Sequence, residues 1–525
     1  MSNYFSQQVI TFHGRSTPES GFLAGYALLI AVLEESGTDV PLPERLAIIT
    51  EKHQRYNTDQ WQVFTIRHKP NNDLVSHLAF ALKYEGIDLY ILKKIFQYLG
   101  KEPVLNRIKK EPTSQYTRRI WFLYEWLIGE TLKISDLKTG TYVEIANPKL
   151  QFTSNSINAT RHRIKNNLPG TPAFCPMVRK TDKIENFIVK DLSGSIEKGL
   201  AGRDKALIKR TAAFLLLKDS KASFAIEGEY PPNLRARNWG KAIGQAGKKQ
   251  LTIEELERLQ DIVIGTKKLK NMGLRMQEGF IGEHDRETFS PLPDHISAKS
   301  KDLHSLMKGL LDTNNLLQES GYDPVLAAAT IAFGFVFIHP FSDGNGRIHR
   351  YMIHHILTRM GYTKRGMIFP VSAAILNRID EYQSILESYS SQRIDLIEWE
   401  STTDYSVKIL NDTIDLYCYY DLTKQVEFLY ECVEETIEQI IPEELDYFEK
   451  YDRMTQHINT YLSLPDTKVD LLIKFLNQNN GKLSKNKRQK EFVDITDEEV
   501  LSIEENFQSI FEINNNENRT EPKLH

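Results

Sequence analysis

The chain has 525 residues, of which 41% are hydrophobic and 26% charged, a composition typical of a globular protein with roughly two to four domains. Its net charge of −4 provides no overall positive field for nucleic acid. No apolar run reaches the ~18 residues of a membrane span, and the N-terminus lacks the pattern of a secretory signal. The three cysteines, Cys175, Cys418 and Cys432, have neither metal-site nor disulfide spacing. We therefore expect a reduced, cytoplasmic protein with no membrane or nucleic-acid partner.

The first part of the chain, residues 1–135, is predicted to form a helical N-terminal domain. From about residue 20, apolar residues recur at intervals of three and four, as in GFLAGYALLIAVLEES and DLVSHLAFALKYEG, which is the periodicity of amphipathic helices. The stretch SQYTRRIWFLYEWLIG concentrates aromatic residues, which form either a binding surface or, in the interpretation we prefer, a core helix. These residues are Trp121, Phe122, Tyr124 and Trp126.

Residues 136–200 are predicted to form an irregular connector with a short hairpin. The stretch TGTYVEIANPKLQFTSNS combines β-branched residues with turn residues. The residues after it are basic and contain prolines. A nucleic-acid contact is conceivable there, but charges with few interleaved aromatic residues are usually solvated, and we adopt that interpretation. The cations are Arg161, Arg163, Lys165, Arg179 and Lys180.

Helical periodicity returns at about residue 203, so the predicted fold class is mainly α, with a core over 201–400. The periodicity is interrupted at Gly273–Pro293, where glycines, alternating residues and two prolines predict a β-hairpin or flap. Residues 401–525 are predicted to be a helical C-terminal region. Its last residues, 514–525, are predicted to be disordered.

The most informative stretch is Ile338–Arg350, which reads IHPFSDGNGRIHR and joins an apolar helix to an amphipathic one. His339 can accept or donate a proton, because an imidazole titrates near neutral pH. Asp343 offers the hard oxygen ligand that Mg²⁺ prefers when it bridges a protein and phosphates. A histidine at a helix end can be purely structural, but the acidic and phosphate-binding groups beside this one favour a catalytic role.

The second half of this stretch has the features of a phosphate site. Gly344, Asn345 and Gly346 can adopt positive φ angles, which turn successive N–H groups inward to form an anion nest. The next helix begins there, so the positive end of its dipole faces the same point. Arg347 and Arg350 lie three residues apart on that helix, so both guanidinium groups can reach a polyphosphate.

The sequence HPFSDGNGRIHR resembles, at every defining position, the signature of the Fic (Fido) family, H-P-F-x-[DE]-G-N-G-R-x-x-R. The resemblance covers about residues 200–400, with the Fido region over about 261–400. It implies an all-α fold with a β-hairpin flap. It also implies an ATP- and Mg²⁺-dependent enzyme that transfers AMP to a Ser, Thr or Tyr hydroxyl of a protein and releases pyrophosphate. The implied partners are a target protein and the chain itself by automodification, and a homodimer is left open.

By position, the resemblance implies that His339 takes the proton of the target hydroxyl and that Asp343 holds Mg²⁺ between the α- and β-phosphates. It implies that Phe341 packs under the loop. The residues implied to bind the nucleotide are Gly344, Asn345 and Gly346 around phosphate oxygens, Arg347 on the β-phosphate and Arg350 on the γ-phosphate. Phosphotransfer relatives have Lys where this chain has Gly346, so the glycine favours AMP transfer.

A second resemblance concerns Ser223-Phe-Ala-Ile-Glu227-Gly228, which matches the inhibitory motif of the family, [ST]-x-x-x-E-[GN]. It precedes the catalytic stretch, as in the subgroup that carries the inhibitory helix in the same chain. Glu227 at a helix end, with Gly228 as the left-handed stop, can form a bidentate pair with Arg350 and compete with the γ-phosphate. We therefore expect self-inhibition.

Two weaker expectations follow from the same resemblance. The flap is expected to hold the backbone of the target by strand addition. Where family flaps often read W-I-G-G, this chain has Phe280, Ile281, Gly282 and Glu283. Tyr382 either flanks adenine or packs as an ordinary helix residue.

Two other patterns are assigned no function. The stretch 240–248 is rich in glycine and lysine but fits neither the P-loop nor the dinucleotide fingerprint. His354 and His355 have no carboxylate or Cys at ligand spacing, so we predict surface or core positions for them.

Two alternatives to AMP transfer remain open. The same site could remove AMP from a modified protein, with Glu227 orienting a water. The chain could also be a nucleotide-sensing interaction protein, although sensing needs no general base such as His339.

Overall fold

The computed structural model describes residues 5–265, 272–363 and 369–512. The chain divides into two compact units, one of Met1–Ser193 with Leu216–Glu434 and one of Gly194–Leu215 with Glu435–His525. The described residues are mainly helical, as predicted. They include no helix that is both long and apolar enough to cross a membrane.

The N-terminal region begins with a five-stranded sheet, where we predicted helices. Its first elements are β1 Gln8–Phe12, β2 Arg15–Ala24, α1 Tyr26–Glu35, β3 Leu46–Thr50, β4 Tyr56–Asn57 and β5 Trp61–Thr65. The strand order is β1-β2-β3-β5-β4, and β3 runs parallel to β5. The prediction of a wholly helical domain is therefore wrong for residues 8–65. The strands β3 and β5, LAIIT and WQVFT, are short apolar runs, whose periodicity does not separate a buried strand from a helix.

Four helices complete this region, as predicted. They are α2 Leu74–Tyr84, α3 Leu89–Leu99, α4 Lys101–Lys110 and α5 Gln115–Ile128. The side chains of Asp73 and Asp88 cap α2 and α3 by accepting hydrogen bonds from backbone N–H groups. On α5, Trp121, Phe122 and Tyr124 are buried, which confirms the core interpretation for these three residues, whereas Trp126 is half-buried.

The connector is tied to its neighbours by its basic residues. Its elements are β6 Val143–Glu144, β7 Ile157–Ala159, β8 Ile164–Asn166, α6 Asp182–Val189 and α7 Leu192–Leu200. The hairpin predicted from TGTYVEIANPKLQFTSNS is wrong in position, because that stretch contains the strand β6, which pairs parallel with β8, and the antiparallel pair β7–β8 follows the stretch. Arg161 forms an ion pair with Glu125 at 3.1 Å, and Arg179 forms one with Asp421 at 2.7 Å. Residues 1–193 thereby share one compact unit with the core, although we predicted separate domains.

The core is built around two consecutive helices, α12 and α13. In chain order its elements are α8 Lys205–Ala225, α9 Asn233–Ile243, α10 Ile253–Ile264, β9 Phe280–His284, β10 Pro291–Ile296, α11 Leu303–Glu319, α12 Pro324–Ile338, α13 Asn345–Arg359, α14 Val371–Asn377, α15 Ile379–Ser390, β11 Trp399–Ser401, β12 Val407–Ile409, α16 Ile414–Cys418 and α17 Thr423–Glu435. The predicted flap is the antiparallel pair β9–β10.

Helix α12 is buried from Val325 to Ile338, since this stretch contains no charged residue. Asp323 caps it by accepting hydrogen bonds from the N–H groups of Val325 and Leu326 at 2.9 and 3.0 Å. Pro324 occupies the first turn, where no backbone donor is needed. The buried helix therefore fixes the position of its C-terminal residue and of the loop that follows it.

The second compact unit has an apolar core of its own. Its helices beyond residue 440 are α18 Ile441–Tyr461, α19 Asp466–Gln478, α20 Lys485–Glu491 and α21 Asp497–Ile510. Met454, Ile473 and Phe507 are completely buried in this core. The predicted disordered tail, 514–525, lies outside the described residues.

Candidate active site

His339 ends helix α12 and begins the loop that leads to α13. Its backbone is left-handed, with φ 53° and ψ 59°, which is uncommon for a residue with a side chain. Its N–H still donates to the Phe335 carbonyl at 3.0 Å. Burial, with a contribution from the Arg275 guanidinium, lowers the pKa of His339 to about 4. The imidazole is therefore neutral at pH 7 and able to accept a proton.

Asn345 clips this loop together. The Phe341 N–H donates to Asn345 Oδ1 at 3.0 Å, and Asn345 Nδ2 donates to the Phe341 carbonyl at 2.7 Å. Both side chains are buried, and the Phe341 ring centroid lies 5.8 Å from that of Phe335 on α12. The loop therefore keeps its shape through its own hydrogen bonds and packing.

The two glycines beside Asn345 are required for different reasons. Gly344 has φ 93°, and a Cβ there would lie 2.9 Å from Val263 Cγ1. Neither Asn345 nor Gly346 has a positive φ, contrary to the expected nest, because α13 has already begun. A Cβ on Gly346 would instead lie 2.1 Å from Glu227 Oε1. The anion-binding feature here is the N-terminus of α13 itself.

Arg347 and Arg350 are only 2% and 1% exposed, and both reach the segment 223–229. Arg347 donates to Glu229 Oε1 and to Asp343 Oδ1, both at 2.5 Å. Within the described part of the chain, Arg347 Nε and Arg350 Nη1 are buried and have no hydrogen-bond partner. Such unsatisfied donors on buried guanidinium groups provide binding capacity for anionic oxygens.

The segment 223–229 contains the end of α8 and the turn after it. Gly228 has φ 69° and its N–H donates to the Ala225 carbonyl at 2.9 Å, so the helix stops at the motif as predicted. Arg350 donates to Ser223 Oγ at 3.1 Å and to the Ser223 carbonyl at 2.6 Å. Through Nη2 it also donates to Glu227 Oε1 at 2.8 Å. The expected bidentate pair is wrong, because a single hydrogen bond joins Arg350 to Glu227 and the Arg350 Nε donates to Ser223 Oγ instead.

Glu227 is ionised in this position. Burial would raise the pKa of Glu227, but the Arg350 guanidinium, together with the charge of Arg347, holds it below its ordinary value. The carboxylate therefore offers a negative charge at the place where the sequence predicts phosphate.

A second carboxylate, which the sequence analysis missed, lies two residues further along. Glu229 bonds Arg347 through Oε1, and its Oε2 accepts a hydrogen bond from Arg235 Nη1 at 2.7 Å. Arg235 lies on α9, and its Nε donates to the Val263 carbonyl at 2.8 Å. The sequence signal that could have identified Glu229 is the triplet Glu227-Gly228-Glu229. A turn at the glycine brings both carboxylates to helix α13.

Arg275 is the other residue that the sequence analysis missed. It is 6% exposed, and it donates through Nε to the His339 carbonyl and through its backbone N–H to the Pro340 carbonyl, both at 2.9 Å. Its Nη1 donates to the Gln277 carbonyl at 2.8 Å. Burial lowers the pKa of Arg275 to about 10, so it remains charged at neutral pH. This guanidinium joins the base of the flap to the loop of His339.

The residues predicted to dock a target lie on β9. Ile281, Gly282 and Glu283 are exposed, and Phe280 is half-buried. Within the described sheets β9 pairs only with β10, so its second edge is available. Tyr382, in contrast, is 4% exposed, with its ring 6.1 Å from that of His349, and it lies close enough to Arg350 and Glu227 for their charges to influence its pKa, so packing and adenine binding both stay open.

The patterns that were set aside have structural explanations. His354 and His355 are buried, with His354 Nε2 2.8 Å from Asp219 Oδ2 and His355 Nδ1 accepting from the Gly247 N–H at 3.2 Å. Gly240 and Gly244 face Leu216 of α8, where small residues allow close packing. The described residues contain no group of three or more His, Cys, Asp or Glu that could hold a metal.

Comparison with known proteins gives a match for the centre of the chain. Residues 250–357 match the model of the Fic/DOC family. The protein adenylyltransferase Fic of Drosophila willistoni is 30% identical over 116 residues, which cover 22% of this chain and 21% of that protein. The protein of the same name from Aedes aegypti is 40% identical over 68 residues, covering 13% and 14%. The chain thus spans less than a quarter of the length of these relatives.

Solved structures give a weaker likeness. A Fic family protein from Desulfovibrio desulfuricans has a TM-score of 0.32 and 18% identity, covering 64% of this chain and 85% of its own. A Fic domain containing signalling protein from Bacteroides thetaiotaomicron has a TM-score of 0.35 and 20% identity, covering 51% and 97%.

Proposed function

We propose, from the match of residues 250–357 to the Fic/DOC family model, that the chain is a self-inhibited protein adenylyltransferase of that family. It transfers AMP from ATP to a serine, threonine or tyrosine hydroxyl of a protein and releases pyrophosphate. One observation carries the proposal. A neutral His339, the Asp343 carboxylate and the buried guanidinium groups of Arg347 and Arg350 meet at the start of α13.

In the proposed reaction His339 accepts the proton while the target hydroxyl oxygen bonds to the α-phosphorus. The bond from that phosphorus to the bridging oxygen breaks, and pyrophosphate leaves with the oxygen. Arg347 and Arg350 bind the departing phosphates and offset the charge that develops on them. The N-terminus of α13 adds partial positive charge at the same point.

Asp343 is the residue that would hold Mg²⁺. Its side chain is 44% exposed beside the phosphate-binding arginine Arg347. A single carboxylate suits Mg²⁺ when phosphates and water supply the remaining oxygen ligands. When bound, the ion supplies further positive charge next to the phosphates.

Self-inhibition is proposed from the two carboxylates of the turn. Glu227 contacts Arg350 and Glu229 contacts Arg347, so each guanidinium that would bind phosphate is engaged by a carboxylate. The side chains of Glu227 and Glu229 are 32% and 34% exposed, so they can leave the arginines without opening the buried core. ATP binds productively in this proposal only after the turn has moved.

The test is incubation of the full-length protein with α-labelled ATP and Mg²⁺. We compare the wild type, Glu227→Gly and Glu227→Gly/His339→Ala, with His304→Ala as a control because His304 is an exposed histidine on α11. Label on protein is expected to rise with Glu227→Gly and to fall by at least ~10²-fold when His339 is also replaced. If Glu227→Gly labels no protein, itself included, the transferase proposal fails.

Removal of AMP from a modified protein is the second candidate, because an ionised Glu227 lies close enough to the His339 imidazole to influence its pKa. Such a carboxylate can orient a water toward the α-phosphorus. Release of AMP from a premodified target by the wild type, and its loss in Glu227→Gly, would select this activity.

A further inference from the structure

Two hairpins from different parts of the chain meet beside the catalytic loop. One is the flap, β9–β10, and the other is β11–β12. His284 Nε2 lies 2.8 Å from the Tyr405 carbonyl oxygen, and the ring centroids of Phe289 and Tyr405 are 5.7 Å apart. The two hairpins therefore present one continuous surface.

This surface exposes apolar side chains that a folded protein usually covers. Ile281 and Leu292 on the flap are 44% and 52% exposed, and the tip residues Phe289 and Tyr405 are 56% and 52% exposed. The turns below these tips are held by hydrogen bonds from backbone N–H groups to Asp285 and Thr402, so the aromatic rings have defined positions. A grouped set of exposed apolar residues is typical of a protein interaction site.

The surface is anchored to the residues around His339. On β10, His295 Nε2 lies 2.9 Å from the Phe337 carbonyl oxygen. The Ala298 N–H donates to the Ile338 carbonyl at 3.3 Å, and Arg275 bonds the His339 carbonyl. A segment added along the free edge of β9 would therefore be held at a defined position relative to His339.

The two hairpins are strongly acidic. Residues 278–294 contain five carboxylates and one arginine, and residues 398–409 contain three carboxylates and one lysine. On the flap, Glu283, Glu287 and Asp294 are exposed. A surface of this charge attracts a basic partner and repels an acidic one.

We propose that the flap and the hairpin β11–β12 form a single docking surface whose occupant is a basic, extended protein segment with apolar side chains near the modified hydroxyl. The inference rests on the proposed function and names the substrate class of the same site. Strand addition on β9 uses backbone hydrogen bonds that most sequences can form. The carboxylates and the apolar tips therefore supply the selection.

Three synthetic peptides of equal length test this inference. Each contains one tyrosine next to leucines, and the remaining residues are lysine and arginine, glutamine, or glutamate. With full-length Glu227→Gly, labelled ATP and Mg²⁺, we expect kcat/KM for the basic peptide to exceed that for the acidic peptide by at least ~10-fold.

Charge reversal on the surface provides the matched comparison. The triple variant Glu283→Lys/Glu287→Lys/Asp294→Lys, in the same background, is expected to reverse the preference. The control Asp39→Lys/Glu51→Lys/Glu319→Lys changes the net charge equally at exposed positions elsewhere and should keep it. Equal rates for the three peptides, or a preference that follows net charge in both triple variants, would overturn the inference.

A second variant tests the hairpin β11–β12. Tyr405→Ala is expected to raise the KM for the basic peptide several-fold, because an apolar contact is lost, while the KM for ATP stays unchanged. Tyr461→Ala is the control, since Tyr461 is 57% exposed and lies outside the surface. Automodification without labelling of any basic peptide would reject the docking surface and leave the transferase function standing. No labelling of any protein would reject the transferase function itself.

Discussion

The loop that begins at His339 and the turn of segment 223–229, which we propose to be inhibitory, contact the same two arginines but are constructed in different ways. The loop is closed by bonds within itself, from Asn345 to the backbone of Phe341 at 3.0 and 2.7 Å, and both residues are buried. The turn reaches the arginines with two carboxylates that are about one third exposed. Loop shape therefore does not depend on the turn, and the proposed inhibition would be a separable addition to a pre-formed loop.

The strength expected of the proposed inhibition follows from the kind of contact that Glu227 makes. Glu227 holds Arg350 through a single nitrogen at 2.8 Å. One hydrogen bond to a charged group contributes ~1.5–3 kcal/mol, which corresponds to roughly 10- to 150-fold in an equilibrium. A partner that binds the turn with modest affinity could therefore release the site.

The largest effect on activity is expected from removing the Asn345 side chain, which closes the loop through hydrogen bonds to the Phe341 backbone. Asn345→Ala, in the Glu227→Gly background, leaves the Phe341 N–H and carbonyl buried without partners, which costs ~1–3 kcal/mol each. We expect transfer to fall by ~10²-fold and the free energy of unfolding to fall by ~2–4 kcal/mol. Initial rates and urea unfolding measure the two quantities.

The control for this variant is Asn479→Ala, which removes one exposed hydrogen bond to the Lys482 carbonyl in the other compact unit. It should change neither rate nor stability appreciably. Full activity in Asn345→Ala would show that the active loop conformation does not require the hydrogen bonds between Asn345 and the Phe341 backbone.

The next effect arises where the two regions touch. A methyl group on Gly346 would lie 2.1 Å from Glu227 Oε1, so Gly346→Ala must displace the carboxylate. Because Gly346 is helical, alanine does not strain the backbone. We expect labelling to rise ~10-fold in the wild-type background and not to rise in Glu227→Gly. Gly199→Ala is the control, because Gly199 is a helical glycine with open space around it. An unchanged rate in Gly346→Ala would show that the position of the Glu227 carboxylate does not control activity.

A smaller effect is expected for the second carboxylate. Glu229→Gln weakens a partly exposed ion pair, which contributes ~0.2–1 kcal/mol, so labelling should rise by roughly 1.5- to 5-fold. Asp312→Asn weakens the exposed pair with Lys308 on α11 and serves as the control. A rise as large as that of Glu227→Gly would make the two carboxylates equal partners in inhibition.

The smallest effect concerns pH. Because the pKa of His339 is lowered to about 4, the imidazole stays neutral well below pH 6.5. Protonation of His339 therefore reduces the rate only as the pH approaches this pKa of about 4. The negative charge of Glu227 raises the pKa of His339. Glu227→Gly is therefore not expected to shift the acidic limb of the pH–rate profile to higher pH. Between about pH 7.5 and 6 the rate should change by less than ~2-fold, against roughly 4-fold for an unperturbed histidine. A fall in rate with a midpoint near pH 6.5 in the pH–rate profile would contradict the lowered pKa of His339.

The sequence by itself determined the loop after His339 and the end of helix α8. Residues 339–350 are contiguous, and their chemistry depends on local properties, namely helix stops, glycine and the three-residue spacing of two arginines on a helix. The stop at Gly228 is local in the same sense, and its φ of 69° agrees with the prediction.

Only the tertiary structure decided the contacts between distant segments. Glu229 bonds Arg347 across 118 positions and Arg275 bonds His339 across 64 positions, and no local pattern encodes either pair. The same holds for β3 and β5, which read as short apolar runs until their pairing in a sheet is known. Backbone conformation is set by neighbours in sequence, whereas these contacts are set by how whole elements pack against each other.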